Sequence, residues 1–240
     1  MIKRDLLYEG KAKQLYETSE PNILWVTYKD QATAGNGAKK EAIAGKGQLN
    51  NQITSMIFKK LKEKDIPSHF IMEVSETDQL IEKVDMFDLE VVVRNVAAGS
   101  FSRRLGVDEG TELAFPVLEF YLKDDGLNDP LINDDHVLAL NLADQKEIDE
   151  IKRQAHNINQ SLIEIYSEAG IRLIDFKLEF GKAAKEQIVL ADEISPDTCR
   201  LWDEKTNDRL DKDVFRQDLG DIIQLYQEVL DRLTRDQKEK

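Results

Sequence analysis

Apolar positions recur along this chain at two spacings, and the switches between them predict its elements. Near the N-terminus, Leu6-Leu7-Tyr8, Lys13-Gln14-Leu15-Tyr16 and Ile23-Leu24-Trp25-Val26-Thr27-Tyr28 read as short strands, the last rich in β-branched and aromatic residues. A loop carrying Gly35 and Gly37 follows. From about residue 48 to 64 the spacing becomes helical. Leu49, Ile53, Met56, Ile57 and Leu61 form one stripe, and Pro67 lies just past the end. Strands are predicted again at 70–74, 80–84 and 89–96, the last a near-continuous apolar run of the kind a buried strand shows. Residues 97–135 read as loops and short strands.

The clearest helix is predicted over about 146–169, with Ile148, Ile151, Ala155, Ile158, Leu162, Ile165 and Tyr166 on its apolar face and Gly170 as its stop. A strand at 174–180, a turn at 181–187 and a strand at 188–193 come next as a hairpin. A final helix is predicted over about 212–234, with Phe215, Leu219, Ile222, Tyr226 and Leu230 facing the core. Strands and helices mix without regular β-α-β alternation, which indicates an α+β fold with largely antiparallel sheets. The pattern is weakest around 84–88, where we place a boundary between residues 1–85 and 86–240.

The strand Ile174-Asp-Phe-Lys-Leu-Glu-Phe180 carries an unusual set of side chains. Alternation puts Ile174, Phe176, Leu178 and Phe180 on one face and Asp175, Lys177 and Glu179 on the other. Positions two apart on a strand are about 6.6–6.8 Å apart. Two carboxylates at that distance repel by about 2.5 kcal/mol at an effective dielectric near 20. Lys177 offsets this, but the hairpin partner adds Asp192 and Glu193, one of which must share the face. A divalent cation on Glu179 and Asp192 would restore the balance, and carboxylates without His or Cys favour Mg²⁺ over zinc. A solvated sheet face of alternating charge is the competing reading.

Composition narrows the function. The 240 residues carry a net charge of −14, so a general phosphate-seeking surface for nucleic acid is excluded, while local basic pockets for anions are not. Hydrophobic content of 41% and charged content of 33% indicate a soluble globular protein. The single Cys199 permits no internal disulfide, and neither a signal sequence nor a membrane span is apparent, so a cytoplasmic location is expected. His69, His136 and His156 lack ligand spacing and read as ordinary surface or core histidines. Cys199 has no base beside it in sequence and reads as a bystander.

Three further stretches carry chemistry. Glu9-Gly10-Lys11-Ala12-Lys13 is a turn with two lysines two apart, suited to a polyphosphate or simply a surface turn. Arg94-Asn-Val-Ala-Ala-Gly-Ser100 ends a buried-type strand on an arginine, whose partner is either a ligand anion or an internal acid. Glu193-Ile-Ser-Pro-Asp197-Thr-Cys-Arg200 places an acid and an arginine just beyond the hairpin, with Lys212 and Arg216 further on.

Together, YEGKAK, VVVRNVAAGS, IDFKLEFG, LADEISPDTCRLWD and DKDVFRQ resemble the SAICAR synthetase family across nearly the whole chain. One departure is Asp88, where many members have proline. The resemblance implies a two-lobed α+β fold: a small antiparallel N-terminal lobe similar to the nucleotide lobe of kinases, and a larger ATP-grasp-like lobe with a C-terminal helix. It implies ATP-dependent joining of L-aspartate to the carboxylate of CAIR (the carboxylated aminoimidazole ribonucleotide) through an acyl phosphate, in a homodimer. Gly10, Lys11, Ala12, Lys13 and Met86 would then bind ATP. Glu179 and Asp192 would hold Mg²⁺, and Lys177 would bridge the transferring phosphoryl group and the substrate carboxylate. Arg94, Ser100, Arg200 and Arg216 would grip CAIR, with Asp175 and Asp197 as orienting groups. A non-catalytic nucleotide-binding module and a small-molecule kinase are the alternatives on the same fold.

Overall fold

The computed structural model describes residues 1–34 and 39–235, so the predicted Gly35–Gly37 loop lies outside the described residues. Within them the fold is α+β with two lobes. The first sheet takes β1 (Lys3–Glu9), β2 (Lys13–Thr18), β3 (Ile23–Tyr28), β6 (Phe70–Glu73) and β7 (Asp78–Glu82), antiparallel in the order β1-β2-β3-β7-β6. A small hairpin, β4 (Gln31–Ala34) with β5 (Lys39–Ala42), leads into α1 (Lys46–Glu63).

The second sheet orders β11 (Leu131–Ile132), β10 (Glu112–Leu122), β9 (Leu89–Val96), β12 (Ile171–Lys182) and β13 (Ile188–Ala191). Strands β8 (Asp85–Met86) and β14 (Cys199–Asp203) also pair with β12. Two short helices follow, α2 (Gly99–Leu105) between β9 and β10 and α3 (Asp134–Ala139) after β11. α4 (Gln145–Glu168), α5 (Asp213–Arg216) and α6 (Ile222–Arg235) complete the order.

One face of the second sheet makes the main core. Leu89, Val91 and Val93 of β9 and Phe176, Leu178 and Phe180 of β12 pack there with the stripe of α4 and with Ile53, Ile57 and Leu61 of α1. Burying each of these large side chains is worth about 1.5–3 kcal/mol. α4 starts on a capping box, in which Asp144 Oδ1 accepts from Glu147 N at 2.9 Å and Glu147 Oε2 from Asp144 N at 2.8 Å. It ends before Gly170, whose φ of 65° is left-handed.

The structure corrects the sequence reading in five places. Residues 99–105, read with the rest of 97–135 as loop and short strand, form the helix α2. Residues 112–122, read as loop and short strand, are the eleven-residue β10. Its register against β9 breaks between Glu112 and Val117, around Pro116, so clean alternation marks only its second half. The predicted helix 212–234 is two helices. Asp218 turns left-handed at φ 54°, Leu219 is 60% exposed instead of buried, and Asp221 Oδ1 accepts from Ile223 N to open α6. The strand at 174–180 runs from Ile171 to Lys182, because β14 pairs with its start and both β8 and β13 pair with Gly181 and Lys182. Finally, a register shift between Leu173 and Asp175 puts Ile174 with Val96, Ala98 and Trp202 in a separate cluster, away from Phe176.

Candidate active site

The other face of the second sheet is the floor of a cavity of about 1060 Å³ whose roof is the first sheet. Strand alternation aims the floor residues. β9 contributes Glu90, Val92 and Arg94, β12 contributes Asp175, Lys177 and Glu179, and Tyr121 and Lys123 come from β10 and its end. Asp175 pairs in register with Arg94 on one side and Arg200 on the other, so cross-strand geometry itself assembles an Arg–Asp–Arg triad.

Arg94 is 3% exposed and fully engaged. It donates to Asp175 Oδ2 at 2.6 Å, Glu119 Oε2 at 2.7 Å, Ser100 Oγ at 3.0 Å and the Tyr121 hydroxyl at 3.2 Å. Arg200 donates to both Asp175 oxygens at 3.0 and 2.9 Å and to Asp213 at 2.7 Å. Arg216 donates to Asp213 at 2.6 Å, and Arg104 to Glu119 and, at 2.7 Å, to the Tyr121 hydroxyl. Burial works against charge on Arg94 and Arg200, but the acids beside them outweigh it and hold both above the ordinary guanidinium value. Four guanidiniums (Arg94, Arg104, Arg200, Arg216) meet three carboxylates (Glu119, Asp175, Asp213), leaving this end one positive charge in excess.

The other end has the opposite balance. Lys177 donates to Glu90 at 2.9 Å and Glu179 at 2.7 Å, with Asp192 at 3.9 Å. Lys123 reaches Glu179 Oε2 at 2.5 Å. Lys13 pairs with Asp192 and, at 3.2 Å, with Glu193. Three lysines thus face four carboxylates, a deficit of one positive charge. Burial opposes charge on Lys13 and Lys177, yet the neighbouring acids hold both ammoniums well above their ordinary value. Asp192, despite burial, is held well below the usual carboxylate range by Lys13 and Lys177. Its φ of 59° ends the hairpin strand and lets both Asp192 and Glu193 approach Lys13, where only one had been expected to share the face.

Every residue nominated from sequence lines this one cavity: Gly10, Lys11, Ala12, Lys13 and Met86 from the roof and the lobe junction, the rest from the floor and its rim. The two lysines of the GKAK turn diverge. Lys13 reaches the β13 end, and Lys11 meets Asp125 at 2.5 Å. Leu15, Leu24, Val26, Ile81 and Val84 give the roof an apolar section beside Met86. Asp175 braces Arg94 and Arg200. Cys199 points to the core, where burial pushes its thiol up to about 12, as befits a bystander. His69 is buried at the cavity, with its imidazole pushed down to about 4 by burial and by Lys13.

Sequence reasoning assigned no role to Glu90, Arg104, Glu119, Tyr121 or Lys123. The last three alternate along FPVLEFYLK, and that alternation was the available signal. Among the described residues, no group of three or more His, Cys, Asp or Glu forms a complete metal cage. No helix among them is long and apolar enough to cross a membrane.

The SAICAR synthetase family profile matches residues 6–233. The chain belongs to the SAICAR synthetase family. It is 55% identical over 233 residues to the phosphoribosylaminoimidazole-succinocarboxamide synthase of Bacillus cereus strain G9842, covering 97% of this chain and 98% of that one. The crystal structure of the Ehrlichia chaffeensis synthase superposes with a TM-score of 0.94 at 45% identity, covering 96% of this chain and 98% of the other. A SAICAR synthetase in complex with ADP superposes with a TM-score of 0.92 at 49% identity, covering 95% and 97%.

Proposed function

We propose that this protein catalyses the ATP-dependent ligation of L-aspartate to the carboxylate of CAIR, giving SAICAR, ADP and phosphate in de novo purine biosynthesis. The observation that carries this reading is one cavity, lined by every site residue nominated from sequence and polarised from a positive arginine end to an acidic end. That is the layout a phosphorylated acidic substrate and a nucleotide would share.

The chemistry asks for two displacements. A CAIR carboxylate oxygen attacks the γ-phosphorus, the bond to the β-phosphate oxygen breaks, and ADP leaves. The aspartate amine then attacks the acyl phosphate carbon, phosphate departs, and the amine loses a proton. Phosphoryl transfer of this kind depends mostly on positioning and charge neutralisation. Gly10, Lys11, Ala12 and Lys13 would hold the phosphates, and Met86 with the apolar roof would hold the base. Lys177, on the floor among Glu90, Glu179 and Asp192, would bridge the transferring phosphoryl group and the CAIR carboxylate. Arg94, Ser100, Arg200 and Arg216 would hold the anionic groups of CAIR, with Asp175 fixing two guanidiniums in one plane of the sheet. Asp197 would act as an orienting group.

The Glu179 and Asp192 carboxylates fit Mg²⁺. They are oxygen donors only, and two carboxylates leave the remaining positions to phosphate oxygens and water, as this ion prefers. In the structure, lysine ammoniums supply the counter-charge at both acids. Bound there, the ion would neutralise phosphate charge.

We further propose a homodimer in the cytoplasm, with residues 1–85 as the nucleotide lobe and 86–240 as the larger lobe. All described strands of the first sheet precede Lys83, and those of the second follow Val84, which supports a division near there, although α1 packs into the core of the second sheet and β8 straddles the cut. The test is ADP release with purified protein, expected only when ATP, CAIR and aspartate are all present. Lys177→Ala should abolish turnover with circular dichroism unchanged; near-normal turnover would refute the mechanism. Stable phosphorylated CAIR accumulating without aspartate would make the protein a kinase instead.

A further inference from the structure

Behind one wall of the cavity lies a buried charge cluster whose hidden members have no part in the ligation chemistry. The role inferred for them rests on that ligation being the reaction. The centre of the cluster is Asp197. Lys46, in the first turn of α1, is 0% exposed, with Nζ 2.5 Å from Asp197 Oδ2. Tyr226 of α6 donates its hydroxyl to Asp197 Oδ1 at 2.6 Å. Lys212 Nζ also approaches Oδ2, at 3.3 Å. Asp197 and Lys212 line the cavity, whereas Lys46 and Tyr226 lie behind them.

A fully buried lysine is expensive to desolvate, and at a helix N-terminus the backbone dipole opposes it as well. Without Lys46, Asp197 and Lys212 would form a closed, self-neutralised pair. With it, one carboxylate serves two ammoniums, and the shorter contact goes to the hidden one. Tyr226 occupies the second oxygen. The cluster is left with one positive charge in excess, carried at the cavity wall by Lys212. Around Lys212, Lys46 and Arg216 repel its proton while Asp197 and Glu193 attract it. Burial and the two cations prevail, holding it below the ordinary lysine value.

We infer that Lys46 and Tyr226 are positioning residues that saturate Asp197, so that the Lys212 ammonium stays available to an anionic group of a bound substrate. A double-mutant cycle tests this with the full-length enzyme. Lys46→Met should raise KM for CAIR or for aspartate by about tenfold, as expected for one lost charged contact, and leave KM for ATP within about twofold. In a Lys212→Met background the same change should add nothing, and Lys46→Arg should restore most of the loss. Equal losses in both backgrounds, or a parallel rise in all three KM values, would overturn the inference and make Lys46 a merely structural residue. If Lys46→Met fails to fold, Tyr226→Phe carries the same cycle with the same two outcomes. Wild-type protein that turns over nothing with the three substrates would overturn the functional reading and this inference together. Turnover with additive losses overturns only the inference.

Discussion

Gly99→Ala is the substitution whose cost the structure specifies most fully. Gly99 sits at φ 54° at the start of α2, under the Arg200 guanidinium. A Cβ there would press on Arg200 Nη2 and lie 2.7 Å from Cζ and 3.0 Å from Nη1. The guanidinium would need to retreat by about 1 Å for its nearest nitrogen to reach ordinary contact. It has little room to do so, because Asp175 holds it at 2.9 and 3.0 Å and Asp213 at 2.7 Å. The left-handed backbone alone costs about 1–2 kcal/mol for a residue with a Cβ. Weakening one charged hydrogen bond adds about 1.5–3 kcal/mol. The expected loss is therefore about 2.5–5 kcal/mol, read by urea unfolding, with a rise in KM for CAIR and little change in KM for ATP. Unchanged stability together with unchanged KM values would refute the account of Gly99 as the clearance for Arg200.

The same geometry sets three other expectations. Glu179→Gln should raise the Mg²⁺ concentration for half-maximal rate by ~10-fold or more, and chelation should abolish wild-type turnover; Mg²⁺-titrated rates check both. Gly181→Ala should cost ~1–3 kcal/mol, because its Cβ would lie 2.5 Å from Val84 Cγ2, and adding Val84→Ala should recover most of the loss in thermal unfolding. Asp211 is buried beside Asp213, and burial first, then that neighbour, pushes its carboxyl up to about 7. A raised pKa means its contribution is fully present below the unfolded value near 4 and is lost as pH rises to about 7, with a slope approaching ~1.4 kcal/mol per pH unit. Asp211→Asn should flatten urea-derived stability over that window, whatever its offset, and an unchanged slope would contradict the assignment.

The periodic signals held where one element buries one continuous stripe. α1 and α4 lie close to their predicted spans because residues at helical spacing face a single core. The three ionisable groups of IDFKLEFG share the cavity face because strand alternation is a local property of the backbone. The residue types there, carboxylates and lysines without His or Cys, already narrowed the chemistry, and the assembled motifs pointed to the family.

What the chain alone left open depends on neighbours distant in sequence. Arg94 could have met a ligand or an internal acid. Only the β9–β12–β14 register brings it to Asp175 and brings Asp175 to Arg200. β10 escaped notice because the register break around Pro116 interrupts its alternation, and Glu119, Tyr121 and Lys123 were lost with it. The break at Asp218 was signalled only by Gly220 and Asp221 inside the predicted helix, since a left-handed aspartate itself looks in sequence like any other polar residue on a helix. Lys46 is the sharpest case. It lies ahead of the helix predicted from about residue 48 and carries no sign of a role there; only the packing of α1 against α6 over Asp197 removes it from water. Local pattern therefore determined the elements and their chemical content, while tertiary structure decided which charges neutralise one another and which remain for a substrate. Electrostatic pairing depends on distance in space, and sequence separation carries almost none of that information.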